Sequence, residues 1–272
     1  MGFKIEKKTL AALKENAPLL KHIAGERIRE ELFKILLDKN VNRAFELMKN
    51  TRVLDQILPE LTKGYGMMQK GHHIYDVWQH SILAVKYCPS SDPVVKLATL
   101  LHDVGKPIVM KEINGERTFY NHEVVGAAIA RKIGQRLKLS RKDLDRLVRL
   151  VRWHQFSVSE KQTDKAIRRF IRRVGKENIA DMLDLRTGDR LGSGAKITSW
   201  RTEKFKKRLI EVQKQPFSVT DLKINGHDVM KILKISPGPK VGQILEEIFK
   251  RVEEGKLPNE REILLGEIKK LK

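Results

Sequence analysis

The chain has 272 residues, 40% hydrophobic and only 6% aromatic, enough for one large or two to three small domains with a core of mostly Leu, Ile and Val. Lys+Arg number 55 against Asp+Glu 34, a formal net charge of +21. That field draws polyanions, RNA or DNA before an acidic membrane surface, and heat adaptation alone would raise Glu together with Lys. The single cysteine, Cys88, excludes an internal disulfide; with no secretory signal and no run of 18 apolar residues, a cytoplasmic protein without a membrane span is expected.

The pattern is helical almost throughout. Apolar residues recur at three- and four-residue steps over 6–16 and 25–38, as in Ile28, Leu32, Phe33, Ile35 and Leu36. Asn40-Val41-Asn42 is a turn and cap signal before a helix at 42–50, and a short helix at 52–58 is expected to end at Pro59. Gly64-Tyr65-Gly66 and Gly71 mark a loop. Helices follow at 75–88, 93–103, 122–138, 140–154, 164–174 and 176–191. Asn114-Gly115, between Ile113 and Thr118-Phe119-Tyr120, is the one good hairpin signal, compatible with a short ribbon or a plain loop. Further helices are expected at 198–214, 226–234, 240–254 and 259–270. Pro216 to Asn225 is a connecting segment, and Pro237-Gly238-Pro239 is a stiff turn. Glycine clusters divide the chain into regions of 1–70, 71–195 and 196–272.

The chemistry centres on His102-Asp103, which closes the apolar run Val94–Leu101 and leads into Val104-Gly105-Lys106-Pro107, where the helix should stop. An imidazole beside a carboxylate offers nitrogen and oxygen ligands to a divalent metal. His80, His122, His154 and Asp189 each fall on another helix or helix end. A lone histidine in such a place is usually a cap or a surface residue, so the argument rests on their joint order. A helical bundle can converge such residues on one interior site.

That order, His80, then His102-Asp103, then Asp189, resembles the H…HD…D pattern of the HD superfamily of metal-dependent phosphohydrolases. The stretch Leu101-His102-Asp103-Val104-Gly105-Lys106-Pro107 looks like its central signature. The resemblance implies that His80, His102, Asp103 and Asp189 hold one divalent ion. His122 and His154, with Asp103 as bridge, would hold a second. Mn²⁺, Ni²⁺, Co²⁺, Fe²⁺ and Mg²⁺ are candidates, the mixed ligands favouring transition ions. Two close cations clamp a phosphate and activate a shared water, giving Asp103 and Lys106 catalytic roles; a solvated loop lysine is the plain alternative for Lys106.

A wider resemblance covers the whole chain. Phe3-Lys4-Ile5, Ala17-Pro18-Leu19-Leu20 and Glu26–Leu32 resemble the neck of bacterial CCA-adding enzymes, tRNA nucleotidyltransferases of the poly(A) polymerase type. Tyr75–His80, Asp184–Gly192, Ile224–Met230 and the tail from Gly238-Pro239-Lys240-Val241-Gly242 to Leu257-Pro258-Asn259 are similar to their HD-bearing members. The family's catalytic head requires a Gly-Ser element and two carboxylates one residue apart on a strand to hold magnesium. Nothing before His80 resembles it. The chain is therefore expected not to be a nucleotidyltransferase on its own, whether it is a natural headless relative or a fragment.

The resemblance implies an all-α, elongated multi-helix protein: a helical neck (1–70), a central HD-domain bundle (71–195) and a C-terminal helical tail (196–272). Lys165, Arg168, Arg169, Arg172, Arg173 and Lys176 recur at helical spacing beside an apolar stripe, a cationic face that can lie along an RNA backbone or simply be solvated. The preferred expectation is an HD-type phosphohydrolase acting on nucleotide or RNA phosphoesters, such as a 2′,3′-cyclic phosphate or a 2′-phosphate, with flanking regions that bind tRNA. The alternative is the tRNA-binding body of a split CCA-adding enzyme whose head is a separate polypeptide. An inactive structural remnant is the third.

Overall fold

The computed structural model describes residues 4–69, 74–159, 162–195, 199–213 and 218–271. Phe3, Gly71 and Pro216, used above as sequence markers, lie outside them. The described residues are all-α apart from one two-stranded ribbon. In chain order, α1 (Lys7–Asn16) leads through a 3₁₀ turn (Ala17–His22) to α2 (Gly25–Leu37), α3 (Val41–Asn50), α4 (Val53–Ile57) and α5 (Pro59–Thr62). There follow α6 (Val77–Tyr87), α7 (Pro93–Leu101), α8 (Lys106–Val109), β1 (Lys111–Ile113), β2 (Glu116–Thr118), α9 (His122–Arg136) and α10 (Arg141–Trp153). The chain continues with α11 (Asp164–Val174), α12 (Ile179–Gly192), α13 (Trp200–Gln213), α14 (Gly226–Leu233), α15 (Pro239–Glu253) and α16 (Arg261–Lys269).

Two prolines expected to follow helix ends do so, and each also stands in the first turn of a further short helix. Pro59 stands at the first position of α5 and Pro107 at the second of α8, where the missing N–H has no intrahelical partner to lose. The hairpin signal resolves as a ribbon, pairing Lys111 with Thr118 and Ile113 with Glu116. Asn114 and Gly115 both have positive φ, 53° and 72°, the backbone of a tight two-residue turn.

The chain forms two compact units: residues 1–157 with 173–199, and residues 158–172 with 200–272. In the first, α7 is central, and every residue from Val94 to Leu101 is buried. Its one charged member, Lys96, extends to the end of α6 and donates to the carbonyls of Val85 and Cys88 at 2.8 and 2.7 Å. Asp92 caps α7 by accepting from the amides of Val94 and Val95, with Pro93 in the first turn. Helix α12 lies directly on α6: a Cβ at Gly188 would stand 2.5 Å from the Ala84 carbonyl oxygen. The glycine allows a backbone approach that sets Asp189, the next residue, against His80. Gly105 does the same for the turn after α7, since a Cβ there would stand 2.2 Å from the His122 carbonyl oxygen. The start of α9 is thereby pressed against His102-Asp103.

In the second unit, α14, α15 and α16 enclose an aliphatic core that includes Val229, Ile248, Leu264 and Ile268. Phe170 and Phe205 meet edge to face at 5.7 Å between α11 and α13. No described helix is long and apolar enough to cross a membrane.

Candidate metal centre

Four helices and the turn after a fifth bring the six ligand-type residues together. His80 comes from α6, His102 and Asp103 from the turn after α7, His122 from the first position of α9, His154 from the end of α10 and Asp189 from α12. All four histidines and Asp103 are buried. The ring nitrogens meet in two pairs, His80 Nε2 with His102 Nε2 at 3.0 Å and His122 Nε2 with His154 Nε2 at 3.3 Å.

Asp103 lies between the pairs and turns one oxygen to each. Its Oδ2 is 3.5 Å from His80 Nε2 and 3.2 Å from His102 Nε2, while its Oδ1 is 3.4 Å from His122 Nε2 and 3.8 Å from His154 Nε2. Asp189 Oδ1 adds a contact to the first pair, 3.2 Å from His80 Nε2. Two triads, His80-His102-Asp103 and Asp103-His122-His154, thus offer ligand atoms within 4.8 Å of one another, sharing one carboxylate.

The opposite ring nitrogens explain the orientation. His102 Nδ1 lies 2.7 Å from the Thr99 carbonyl, His122 Nδ1 2.8 Å from that of Phe119, and His154 Nδ1 2.8 Å from that of Val151. A carbonyl can only accept, so Nδ1 carries the hydrogen and, in the neutral ring, the Nε2 lone pair faces inward. The inward lone pairs of His122 and His154, 3.3 Å apart, repel unless a proton or a cation lies between them. The donor set of imidazole and carboxylate therefore fits divalent transition ions.

The charges are strongly coupled. Burial opposes a charge on His102, but the Asp103 and Asp189 carboxylates outweigh it and raise the ring to about 10. Burial, and then the charge on His102, push His154 down to about 3. Burial also opposes the charges on Asp103 and Asp189, yet both stay well below the usual carboxylate range: His102 and Lys106 act on Asp103, and hydrogen bonds from His102 and His80 act on Asp189. Lys106 is not a solvated loop lysine. It is buried, and its Nζ donates to Asp103 Oδ2 at 2.6 Å and Gln69 Oε1 at 2.5 Å.

A cavity of about 460 Å³ opens on this cluster, lined by Lys106 and His122 together with Gln69, Arg117, Tyr120, Glu123 and Gln155. Sequence reasoning missed the last five. Glu123 was open to detection, as the carboxylate following a ligand-type histidine at a helix start. Arg117 was not, because only the folded ribbon carries it there.

Six residues were expected to form one exposed cationic face. Lys165, Arg169, Arg172, Arg173 and Lys176 are exposed, but Arg168 is 2% exposed and does not lie on that face. It follows Ile167, and α11 turns both inward. Arg172 also faces Glu253 at 3.5 Å.

The described residues are helical apart from one short ribbon and bury a histidine–carboxylate cluster of the metal-ligand type, in a chain of net charge +21. Residues 122–268 match the family model described as tRNA nucleotidyltransferase domain 2, and residues 2–64 match the one described as a probable RNA and SrmB-binding site of polymerase A. The first match covers more than half the sequence: the chain belongs to the tRNA nucleotidyltransferase family. It is 33% identical to the A-adding tRNA nucleotidyltransferase of Deinococcus radiodurans over 90% of its length and 59% of that protein's. It is 32% identical to the CC-adding tRNA nucleotidyltransferase of Thermus thermophilus over 96% of its length and 62% of that protein's. It thus spans about six-tenths of the length of these two relatives. The Bacillus stearothermophilus CCA-adding enzyme, solved with CTP, shares the fold at a TM-score of 0.61 and 20% identity, over 100% of this chain and 58% of that one.

These relatives overturn the expectation of an HD-type phosphohydrolase that is not a nucleotidyltransferase. The pattern of His80, His102-Asp103 and Asp189 specifies side chains able to meet around a cation. A cation site does not by itself specify hydrolysis, since one arrangement serves many functions.

Proposed function

We propose that this chain is the tRNA-holding body of an A- or CC-adding type of nucleotidyltransferase, working with a catalytic domain that supplies nucleotide addition. The carrying observation is the identity to A-adding and CC-adding enzymes along 90% and 96% of the chain. The net charge of +21 supports it, because each phosphate neutralised by Lys or Arg releases counterions and drives binding without base reading. In this reading the chain holds tRNA by shape and charge.

The buried cluster is assigned as an HD-type centre for one or two divalent ions. His80, His102, Asp103 and Asp189 would hold the first, and His122 and His154, with Asp103 bridging, the second. Such ions would neutralise the shared carboxylate, fix the four imidazoles and tie five helices together. Lys106 then balances Asp103 from the cavity side. Lys165, Arg169, Arg172, Arg173 and Lys176 are assigned to the RNA-facing surface.

The test is tRNA binding by the purified chain across a salt series, followed by CTP and ATP incorporation when a nucleotidyltransferase catalytic domain is added. Salt-dependent binding and a gain in incorporation are expected. Absence of tRNA binding at low salt overturns the proposal.

A further inference from the structure

Helix α10 carries arginines of two kinds. Arg146 is structural: its guanidinium meets Asp92 Oδ2 and Asp181 Oδ2, each at 2.7 Å. Arg149 and Arg152, at the next three-residue steps, are different. Among the described residues Arg149 pairs with no carboxylate, and Arg152 has only Glu123 Oε1 at 3.5 Å. The Arg152 guanidinium lies on the ring of Trp153, its carbon 4.2 Å from the ring centroid. Arg173, exposed on α11, places its own at 4.7 Å from the same ring, and no carboxylate pairs with it among the described residues. Two guanidiniums are therefore fixed within about 9 Å of each other by one half-buried indole, with a single distant counter-charge.

We infer that Arg152, Trp153 and Arg173 form a phosphate clamp for an RNA backbone, with Arg149 extending it along α10. The inference rests on the reading of the chain as an RNA-binding body. Cation–π stacking fixes each guanidinium plane and leaves its N–H edge outward, so little side-chain freedom is lost when a phosphate is bound. Like charges held this close repel, and an anion bound at their outer N–H edges relieves the repulsion. The indole is covered by cations, so it is no platform for a base, and the contact reads backbone rather than sequence. A diester also suits a surface where positive charge is already in large excess.

The test is binding of unfractionated tRNA to the full chain from 50 to 300 mM salt, for the wild type, Arg173→Ala, Arg152→Ala/Arg173→Ala, Arg173→Lys and Lys142→Ala. The last removes an exposed charge from the opposite end of α10. Arg173→Ala should weaken binding several-fold and flatten the log–log salt slope by about 1, and the double variant by about 2. Arg173→Lys keeps the charge but loses the planar stack, and should restore only part of the affinity. Lys142→Ala should have a smaller effect than Arg173→Ala. Bound metal and melting temperature, measured on the same samples, should be unchanged in Arg173→Ala, an exposed residue whose guanidinium stacks on Trp153. Equal effects of Lys142→Ala and Arg173→Ala would make net charge the cause and overturn the clamp. So would unaltered tRNA binding alongside lost association with a catalytic domain, which would make the surface a protein contact. Absence of tRNA binding by the wild type sinks the parent reading as well, whereas wild-type binding unaffected by the arginine variants sinks the clamp alone.

Discussion

The two compact units bury different chemistry. The first encloses four imidazoles, the Asp103 carboxylate and the Lys106 ammonium. The C-terminal helices of the second enclose aliphatic side chains and form their ion pairs near the surface, Arg261 with Asp228 and Arg251 with Glu267, both at 2.6 Å. The first therefore depends on charges that cancel, and a single missing partner is expensive there. The second depends on apolar area, where loss scales with the cavity created. The contrast also separates tasks: a cation-type centre needs rigid walls, whereas a polyanion surface needs little more than a folded frame for its lysines and arginines.

The largest expected effect follows from removing the shared carboxylate. Asp103→Ala leaves Lys106 buried without its carboxylate and the imidazoles with Asp189 alone, and should cost about 3–5 kcal/mol in a urea titration. A loss below about 1 kcal/mol would mean that the cluster does not depend on charge balance, and the contrast between units would collapse. Next comes Leu264→Ala, which empties a fully buried position in the aliphatic core and should cost about 2–5 kcal/mol. Bound metal, measured by elemental analysis below the melting temperature, should stay at the wild-type level. A parallel loss of metal would show that the units do not stand independently.

Metal addition sharpens the comparison from the other side. Mn²⁺ or Ni²⁺ at one hundred times its dissociation constant should stabilise the wild type by about 2.7 kcal/mol, reversibly with chelator. Asp103→Ala should gain nothing, and Leu264→Ala should gain as much as the wild type. Equal stabilisation of Asp103→Ala would place the cation elsewhere.

Much of this was legible in the sequence, and particular residues explain where it was not. Helical periodicity located most of the longer helices within a few residues, because α7 and α10 carry unambiguous apolar runs. It missed α5 and α8, each four residues long with a proline in the first turn that reads as a stop. The six ligand-type residues were identifiable by order and residue type. Their distances were not, because the approach of His122 to Asp103 depends on Gly105 and that of Asp189 to His80 on Gly188. The burial of Arg168 was not legible either, since its place in the cationic repeat is indistinguishable from those of Arg169 and Arg172. The platform at Trp153 combines a residue on α10 with one on α11, a pairing no periodicity predicts.

The smallest expected effect concerns the second unit's surface and tests whether its charges are as dispensable as the contrast implies. Asp228 closes a capping box at the start of α14: Asn225 Oδ1 accepts from the amides of His227 and Asp228, and Asp228 Oδ2 accepts from the Asn225 amide at 2.9 Å. Arg261, at the start of α16, grips the same carboxylate, its Nη2 donating to Oδ1 at 2.6 Å and its Nη1 to Oδ2 at 3.0 Å. The bond from Arg261 is the main reason the Asp228 carboxyl sits below its ordinary 3.8. A carboxyl depressed on folding contributes stability that is present above its unfolded value and lost as pH falls through its folded value. The difference in stability between wild type and Arg261→Ala should therefore be constant near neutrality and vanish on acidification below that range. In the variant, the Asp228 side-chain carbon resonance should titrate closer to 3.8 than in the wild type. The pair is largely solvent-screened, so the melting temperature at neutral pH should hardly move. A drop as large as that of Leu264→Ala would mean that this ion pair, and not the aliphatic core alone, holds α14 against α16.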